Sequence, residues 1–263
     1  MEVIGYFASL LIGISLGLIG GGGSILTVPV LVYLFKVEPV TATAYSLFIV
    51  GATSLVGAFP KYKKGEINIK TAIVFGIPSI VSVYSTRAFI VPAIPDEIFT
   101  IGSFVATKSF MTMLLFAVLM VFASVSMIRS KKQVSEVEGE QVFNYPMILL
   151  EGTIVGIVTG LVGAGGGFLI IPALVLFSKL PMKQAIGTSL LIIAAKSLIG
   201  FTGDLGNQYI NWSLLLTVTA LAIAGIFMGN AMSSKIEADK LKKGFGWFVL
   251  VMGIYIIFKE FLH

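Results

Sequence analysis

No cysteine occurs in the 263 residues, and the one histidine, His263, is the last residue. These absences remove thiol chemistry, haem ligation through Cys or His, and His-based metal sites. No metal or cofactor is expected. The serines have no evident general base beside them in the sequence, so no catalytic residue is expected either. Charge is also scarce, with Asp, Glu, Lys and Arg making up 12% of the chain. So few charges cannot coat a soluble globule of this length. There is no basic arm or aromatic-basic platform, which argues against a nucleic-acid partner. The ten-residue alternating segments of a membrane β-barrel are missing as well. The opening Met-Glu-Val-Ile has no basic n-region, so the first apolar run is expected to belong to the mature fold.

What fills the chain is apolar: 57% of residues, with a mean hydropathy of +1.00. Runs long enough to cross a hydrocarbon core of about 30 Å recur along it. The expected fold is an all-α polytopic membrane protein with the lipid bilayer as its solvent. Apolar runs cover 3–34, 41–59, 69–93, 109–129, 147–178, 184–203, 212–231 and 244–262. The polar stretch 130–145 lies between the fourth and fifth runs and divides the chain nearly in half.

The halves are copies. At a constant offset of 143 residues, GLIGGGGSILTVPVLVYLFK from Gly17 falls on GLVGAGGGFLIIPALVLFSK from Gly160. The register continues through Ser46 on Ser189, Ser54 on Ser197 and Gly57 on Gly200, and on to Ile67-Asn68 over Ile210-Asn211. Residues 1–129 form a first repeat, 130–145 a linker and 146–263 a second repeat.

The first run of each repeat is too long for one straight crossing: 32 residues would make a helix of about 48 Å. Glycine costs a helix interior roughly 1 kcal/mol, and Gly20–Gly23 and Gly163–Gly167 interrupt the two runs in their middles. Pro29 and Pro172 follow, each suited to the first turn of a new helix or to a kink. Each long run therefore reads as two half-helices joined by a glycine segment. Lys and Arg decide how that pair sits. Of the 17 outside the spans (Lys196 is the eighteenth), eight-fold crossing divides them eight to nine. If both broken runs are re-entrant hairpins, 13 fall on one side and four on the other. Positive charge accumulates on the cytoplasmic side, which favours the hairpins. Each repeat then has three full spans, an odd number, so the repeats are inverted. Loops 60–70, 130–145 and 232–243 are expected in the cytoplasm and both termini outside.

Inverted repeats with broken helices are a transporter plan. Glycine lets backbone approach a ligand, and N–H groups at half-helix N-termini favour an anion. The simpler reading is that the glycines permit close helix packing. A nucleotide loop is disfavoured, since neither run continues into Gly-Lys-Ser/Thr or follows a strand in a βαβ unit.

The doubled motif, each copy followed by a Ser-bearing helix, resembles the TauE/SafE sulfite-exporter family, also called the toluene-sulfonate uptake permease family. The resemblance covers nearly the whole chain. It implies a secondary transporter, by preference an exporter, of sulfite, an organosulfonate or a related sulfur-containing anion across a prokaryotic cytoplasmic membrane. An anion channel and a carrier of a different small anion are the alternatives. A coupling proton or cation and a homo-oligomer are compatible with it. Residues 94–108 depart from the repeat, being longer than the stretch after Asn230.

The expected substrate-binding set is Gly20, Gly21, Gly22, Gly23 and Ser24 of the first segment, Gly163, Gly165, Gly166 and Gly167 of the second, with Ser46, Ser189 and Lys196. Lys196 stands inside the sixth run where Thr53 stands in the other half. A lysine at a span centre costs about 3 kcal/mol, so it either faces an anion pathway or snorkels to the helix end. Thr53, Ser54, Thr188 and Ser197 supply further hydroxyls, either to an anion or back to their own helix carbonyls. Arg87 is read as a gate or attractor for anions or as an interfacial anchor. Glu151 is a proton-coupling candidate or an interfacial carboxylate. Asp204, Asn207 and Asn211 are expected to cap helix ends or line a loop.

Overall fold

A computed structural model of the chain describes residues 2–101, 104–129, 145–176, 178–207, 209–233 and 238–262. The helices are α1 (Glu2–Ile19), α2 (Thr27–Tyr33), α3 (Pro39–Lys63), α4 (Ile69–Ser85), α5 (Val91–Ala93), α6 (Lys108–Arg129), α7 (Tyr145–Val162), α8 (Gly167–Leu176), α9 (Met182–Thr202), α10 (Trp212–Ser233) and α11 (Ala238–Leu262). A 3₁₀ turn, Gly20–Leu26, joins α1 to α2, and a π turn, Thr86–Ile90, carries α4 into α5. Among the described residues, six helices are long and apolar enough to cross a membrane, and their ranges overlap the six unbroken apolar runs of the sequence. The linker 130–145 falls almost wholly outside the described residues, as do the N-terminal residue and His263.

The ends of the helices follow from local chemistry. Glu38 caps α3 by accepting from the Thr41 N–H at 2.9 Å, and Pro39 sits at the first helical position, where no N–H is needed. The repeated Ile-Asn has a mechanical meaning. Asn68 Oδ1 accepts from Thr71 N–H at 2.9 Å to start α4, and Asn211 Oδ1 accepts from Leu214 N–H at 3.2 Å to start α10. Lys36 and Lys179, also repeat mates, both turn the chain through positive φ, at 56° and 49°.

The pairing of helices obeys the same exchange. Helix α1 packs on α10 and α7 on α4; α3 packs on α10 and α9 on α4; α3 meets α9, and α6 meets α11. Individual contacts repeat with it. A Cβ on Gly57 would strike Ile226 and approach Leu190, while one on Gly200 would strike Val83 and approach Leu47. Each of those partners is the 143-residue mate of the other. Small residues make the cross-repeat seams tight: Gly13 and Gly17 lie against the α10 backbone at Ala222 and Gly229, and Gly156 and Gly160 lie against Ser79 and Thr86. The most buried long helices are α3 and α9, and α11 is the least buried. The centre of the molecule is therefore the α3–α9 pair, flanked by the two glycine segments.

Residues 94–108 contain an element that sequence reading marked only as a longer loop. Strands β1 (Glu97–Ile101) and β2 (Phe104–Thr107) pair antiparallel, with a register irregularity between Glu97 and Phe99. The sequence signal is there, in two β-rich runs around Gly102-Ser103. The start of α6, directly after β2, is tied back to the α3 cap by a hydrogen bond from Ser109 Oγ to Glu38 Oε1.

Candidate functional site

The two glycine segments meet. A Cβ on Gly21 would lie 2.5 Å from Gly167 Cα, so only glycine at both places allows the backbones to pass this closely. The repeat mates of this pair, Ala164 and Ser24, are bonded too: Ser24 Oγ lies between the carbonyls of Ala164 and of Gly21, the latter at 2.8 Å. The expected substrate hydroxyl of Ser24 is thus spent on joining the segments.

The segments do not resolve alike. Gly20–Leu26 winds into a 3₁₀ turn with positive φ only at Gly20, so it is not the unwound stretch that its glycine content suggested. In the second segment Gly163, Gly165 and Gly166 all have positive φ and the helix restarts at Gly167. Gly20 and Gly163 keep equivalent roles, each pressed against the mate position of the opposite half, Ile186 and Thr43.

Lys196 does not snorkel. It is fully buried in α9, and its Nζ donates to Thr159 Oγ1 of α7 at 2.8 Å. The ammonium lies beside the second segment, 2.9 Å from where a Cβ on Gly166 would be. No carboxylate pairs with it among the described residues. Thr159 passes its own proton to the Val155 carbonyl at 2.7 Å, so its oxygen is free to accept from Lys196. Its role was missed; the signal was a hydroxyl one turn before Gly163.

The remaining hydroxyls divide. Ser46, Thr53, Ser54 and Ser197 are buried, and their oxygens have no hydrogen-bond partner among the described residues. Ser189 instead donates to the Ile186 carbonyl at 2.8 Å, and Thr188 accepts from the Asn68 N–H at 2.9 Å. The Ser46/Ser189 pair is matched in sequence but not in use. Arg87 is no interfacial anchor: it is fully buried in the π turn, with Nε 3.1 Å from Asp204 Oδ2 and Nη2 donating to Thr43 Oγ1 at 2.9 Å. Asp204 is therefore not a cap but the buried partner of that guanidinium. Asn211 does cap, and Asn207 donates to the Gly203 carbonyl at 3.3 Å. Glu151 lies in α7, outside this cluster. Among the described residues no group of three or more His, Cys, Asp or Glu side chains could hold a metal.

Among the described residues, six membrane-length apolar helices, and a buried lysine without a carboxylate partner where two glycine segments touch, define a multi-pass membrane protein built around a polar centre. Residues 6–256 match the family model described as Sulfite exporter TauE/SafE, and the chain belongs to that family, a family of membrane transporters. Relatives span most of its length. A "Probable membrane transporter protein" of Xylella fastidiosa (strain Temecula1 / ATCC 700964) is 28% identical over 261 residues, covering 95% of this chain and 92% of that one. The "Probable membrane transporter protein YdhB" of Bacillus subtilis (strain 168) is 25% identical over 250 residues, covering 94% and 97%. The "Probable membrane transporter protein MJ0441" of Methanocaldococcus jannaschii is 33% identical over 129 residues, 47% of this chain. No solved structure gives a significant match.

Proposed function

We propose that this membrane transporter carries a small sulfur-containing anion, such as sulfite or an organosulfonate, outward across a prokaryotic cytoplasmic membrane. It works by alternating access around a site between two inverted repeats. The observation that carries the reading is Lys196: a fully buried ammonium with one neutral acceptor and, among the described residues, no carboxylate, held beside the glycine segment. A charge left unbalanced in an apolar interior is costly unless something pairs with it. A transported anion supplies the missing charge. Around it, the buried hydroxyls of Ser46, Thr53, Ser54 and Ser197 offer donors suited to sulfonyl oxygens, and α8 begins at Gly167, directly after the glycine that Lys196 faces. The family's designation as sulfite exporters supports sulfite as the first anion to try.

The orientation follows from charge: Lys-rich segments at 60–70 and 232–243 face the cytoplasm and both termini lie outside. The membrane potential, negative inside, then drives anion exit without any nucleotide.

The test is sulfite counterflow in proteoliposomes, with Lys196→Ala beside the unaltered chain. Saturable counterflow that the variant loses is the expected result. Equal counterflow in both removes Lys196 from the site. Conductance without counterflow makes the protein a channel, and no flux of either kind rejects sulfite as the anion.

A further inference from the structure

The Arg87–Asp204 pair joins the two halves, since Arg87 comes from the end of α4 and Asp204 from the turn after α9. Both side chains are buried. Their fit is poor. Nε and Oδ2 lie 3.1 Å apart but are not aligned as a hydrogen bond, and Nη1 has no partner among the described residues. A guanidinium can hold two oxygens of one oxyanion in a fork. Here Asp204 makes the charge contact without filling that fork.

The pair also touches the proposed anion site. Arg87 Nη2 donates to Thr43 Oγ1, and the Thr43 backbone is the surface against which Gly163 is pressed. Gly163 begins the segment that reaches Lys196 at Gly166. One turn beyond Thr43 on α3 is the unpartnered hydroxyl of Ser46. A π turn, the backbone irregularity at which Arg87 sits, is a frequent mark of functional sites. Arg87 lies at the end of α4 opposite Lys61, Lys63, Lys64 and Lys70.

We propose that Arg87 is a receiving site for the oxyanion of the substrate, and that Asp204 is a built-in carboxylate that holds it at rest and is displaced when the anion arrives. This rests on the reading of the protein as an anion transporter and adds a second cation to Lys196. The substrate oxyanion can fill the fork that Asp204 leaves half used. Asp204 sets a threshold: only an anion able to outcompete a buried carboxylate enters. The two members of the pair therefore act in opposite directions. Losing Arg87 removes the receptor, whereas neutralising Asp204 removes its competitor. A bond that only locked the halves together would give effects of the same sign from either side.

The chain has no cysteine, so Ser46→Cys makes a single reporter thiol beyond the pair. Its labelling rate in proteoliposomes is read with two externally added thiosulfonates, the anionic sulfonatoethyl reagent and the neutral methyl reagent. The anionic-to-neutral rate ratio is compared in four backgrounds. Asp204→Asn is expected to raise it about tenfold and Arg87→Gln to lower it about tenfold, within the span of ordinary coupling effects. Arg87→Lys, which keeps the charge but not the fork, should fall between Arg87→Gln and the unaltered residue. A ratio that moves the same way in Asp204→Asn and Arg87→Gln, or does not move, overturns the proposal. So does a thiol that stays unlabelled in the Asp204→Asn background. No substrate is needed, so absent sulfite counterflow with a responsive ratio would reject sulfite and leave Arg87 as an oxyanion site.

Discussion

The first glycine segment and the second stand at corresponding places and share Gly20/Gly163, Gly22/Gly165 and Gly23/Gly166 as repeat mates. Their surroundings differ in charge. Lys196 faces the second segment, and its mate in the first repeat is Thr53. Thr159, which holds the lysine, has Leu16 as its mate; Arg87 has Asn230, and Asp204 has Lys61. Every fully buried ionic group thus belongs to one of the two pseudo-equivalent positions and is missing from the other. The scaffold occurs twice, while each buried charge occurs once: Arg87 in the first repeat, Lys196 and Asp204 in the second. The backbone registers this, since one segment closes its N–H groups into a 3₁₀ turn and the other opens into three left-handed glycines.

The largest effect is expected where the two segments cross. Gly167→Val would drive a side chain into the Gly21 backbone, which cannot give way as a flexible side chain could. Overpacking costs 1–3 kcal/mol or more, and here a loss of the folded monodisperse peak in size-exclusion chromatography is expected. Gly244→Ala, with nothing within 4 Å, should leave that peak unchanged. A persistent, monodisperse Gly167→Val would break the claim that the segments must touch.

Next in size is the transfer of the charge. Lys196→Thr combined with Thr53→Lys moves the ammonium to the other half, where Leu16 offers it no acceptor. Counterflow should remain at least about a hundredfold down, the scale of losing a charge-stabilising contact of about 3 kcal/mol. Adding Leu16→Thr should recover part of it. Full recovery from the double exchange alone would show the halves to be equivalent after all.

The serine mates sharpen the comparison further. Ser46→Ala should raise the half-saturating anion concentration about three- to tenfold, the value of one hydrogen bond of roughly 1 kcal/mol. Ser189→Ala should change it less than twofold, because that hydroxyl already serves Ile186.

The smallest effect is at the caps. Burial raises the Glu38 carboxyl, but hydrogen bonds from Ser109, from the Thr41 and Val40 N–H groups and from the Thr41 hydroxyl outweigh it and hold the carboxyl below its usual range. A lowered pKa stabilises the fold above the unfolded value, near pH 4, and that gain disappears as pH falls through the folded value. Glu38→Gln should therefore lower the melting temperature by a few degrees at pH 7 and by less at pH 3, measured in the same detergent. The mate of Glu38 is Pro181, which caps α9 without a side-chain bond, so no corresponding pH effect is expected there.

The helices were legible because their signals are strong and local. Long apolar runs, a glycine tract in two of them and Asn caps at a fixed offset fix where each helix starts and stops. The 3₁₀ form of the first glycine segment was not legible, since glycine content alone does not distinguish a tight turn from an open one. The β-hairpin was overlooked because its runs are short beside the long spans. Lys196 could be singled out as a charge within an apolar run. Its acceptor Thr159 and the Arg87–Asp204 pair are contacts between residues 37 and 117 positions apart, and no periodicity reports a partner at that distance. Asp204 does lie in the turn after α9, between Gly203 and Gly206, and nothing local marks it as the partner of a buried cation.

The exchange of partners between halves also bears on how the chain is made. Helix α1 leaves the ribosome before α10, yet the surface that fits Gly13 and Gly17 is on α10, where Gly225 follows Gly13 by 212 residues. At about 5–20 residues per second, synthesis leaves that glycine face without its mate for roughly 10–40 s. Helix α1 therefore waits for a helix from the other half before its glycine face is covered.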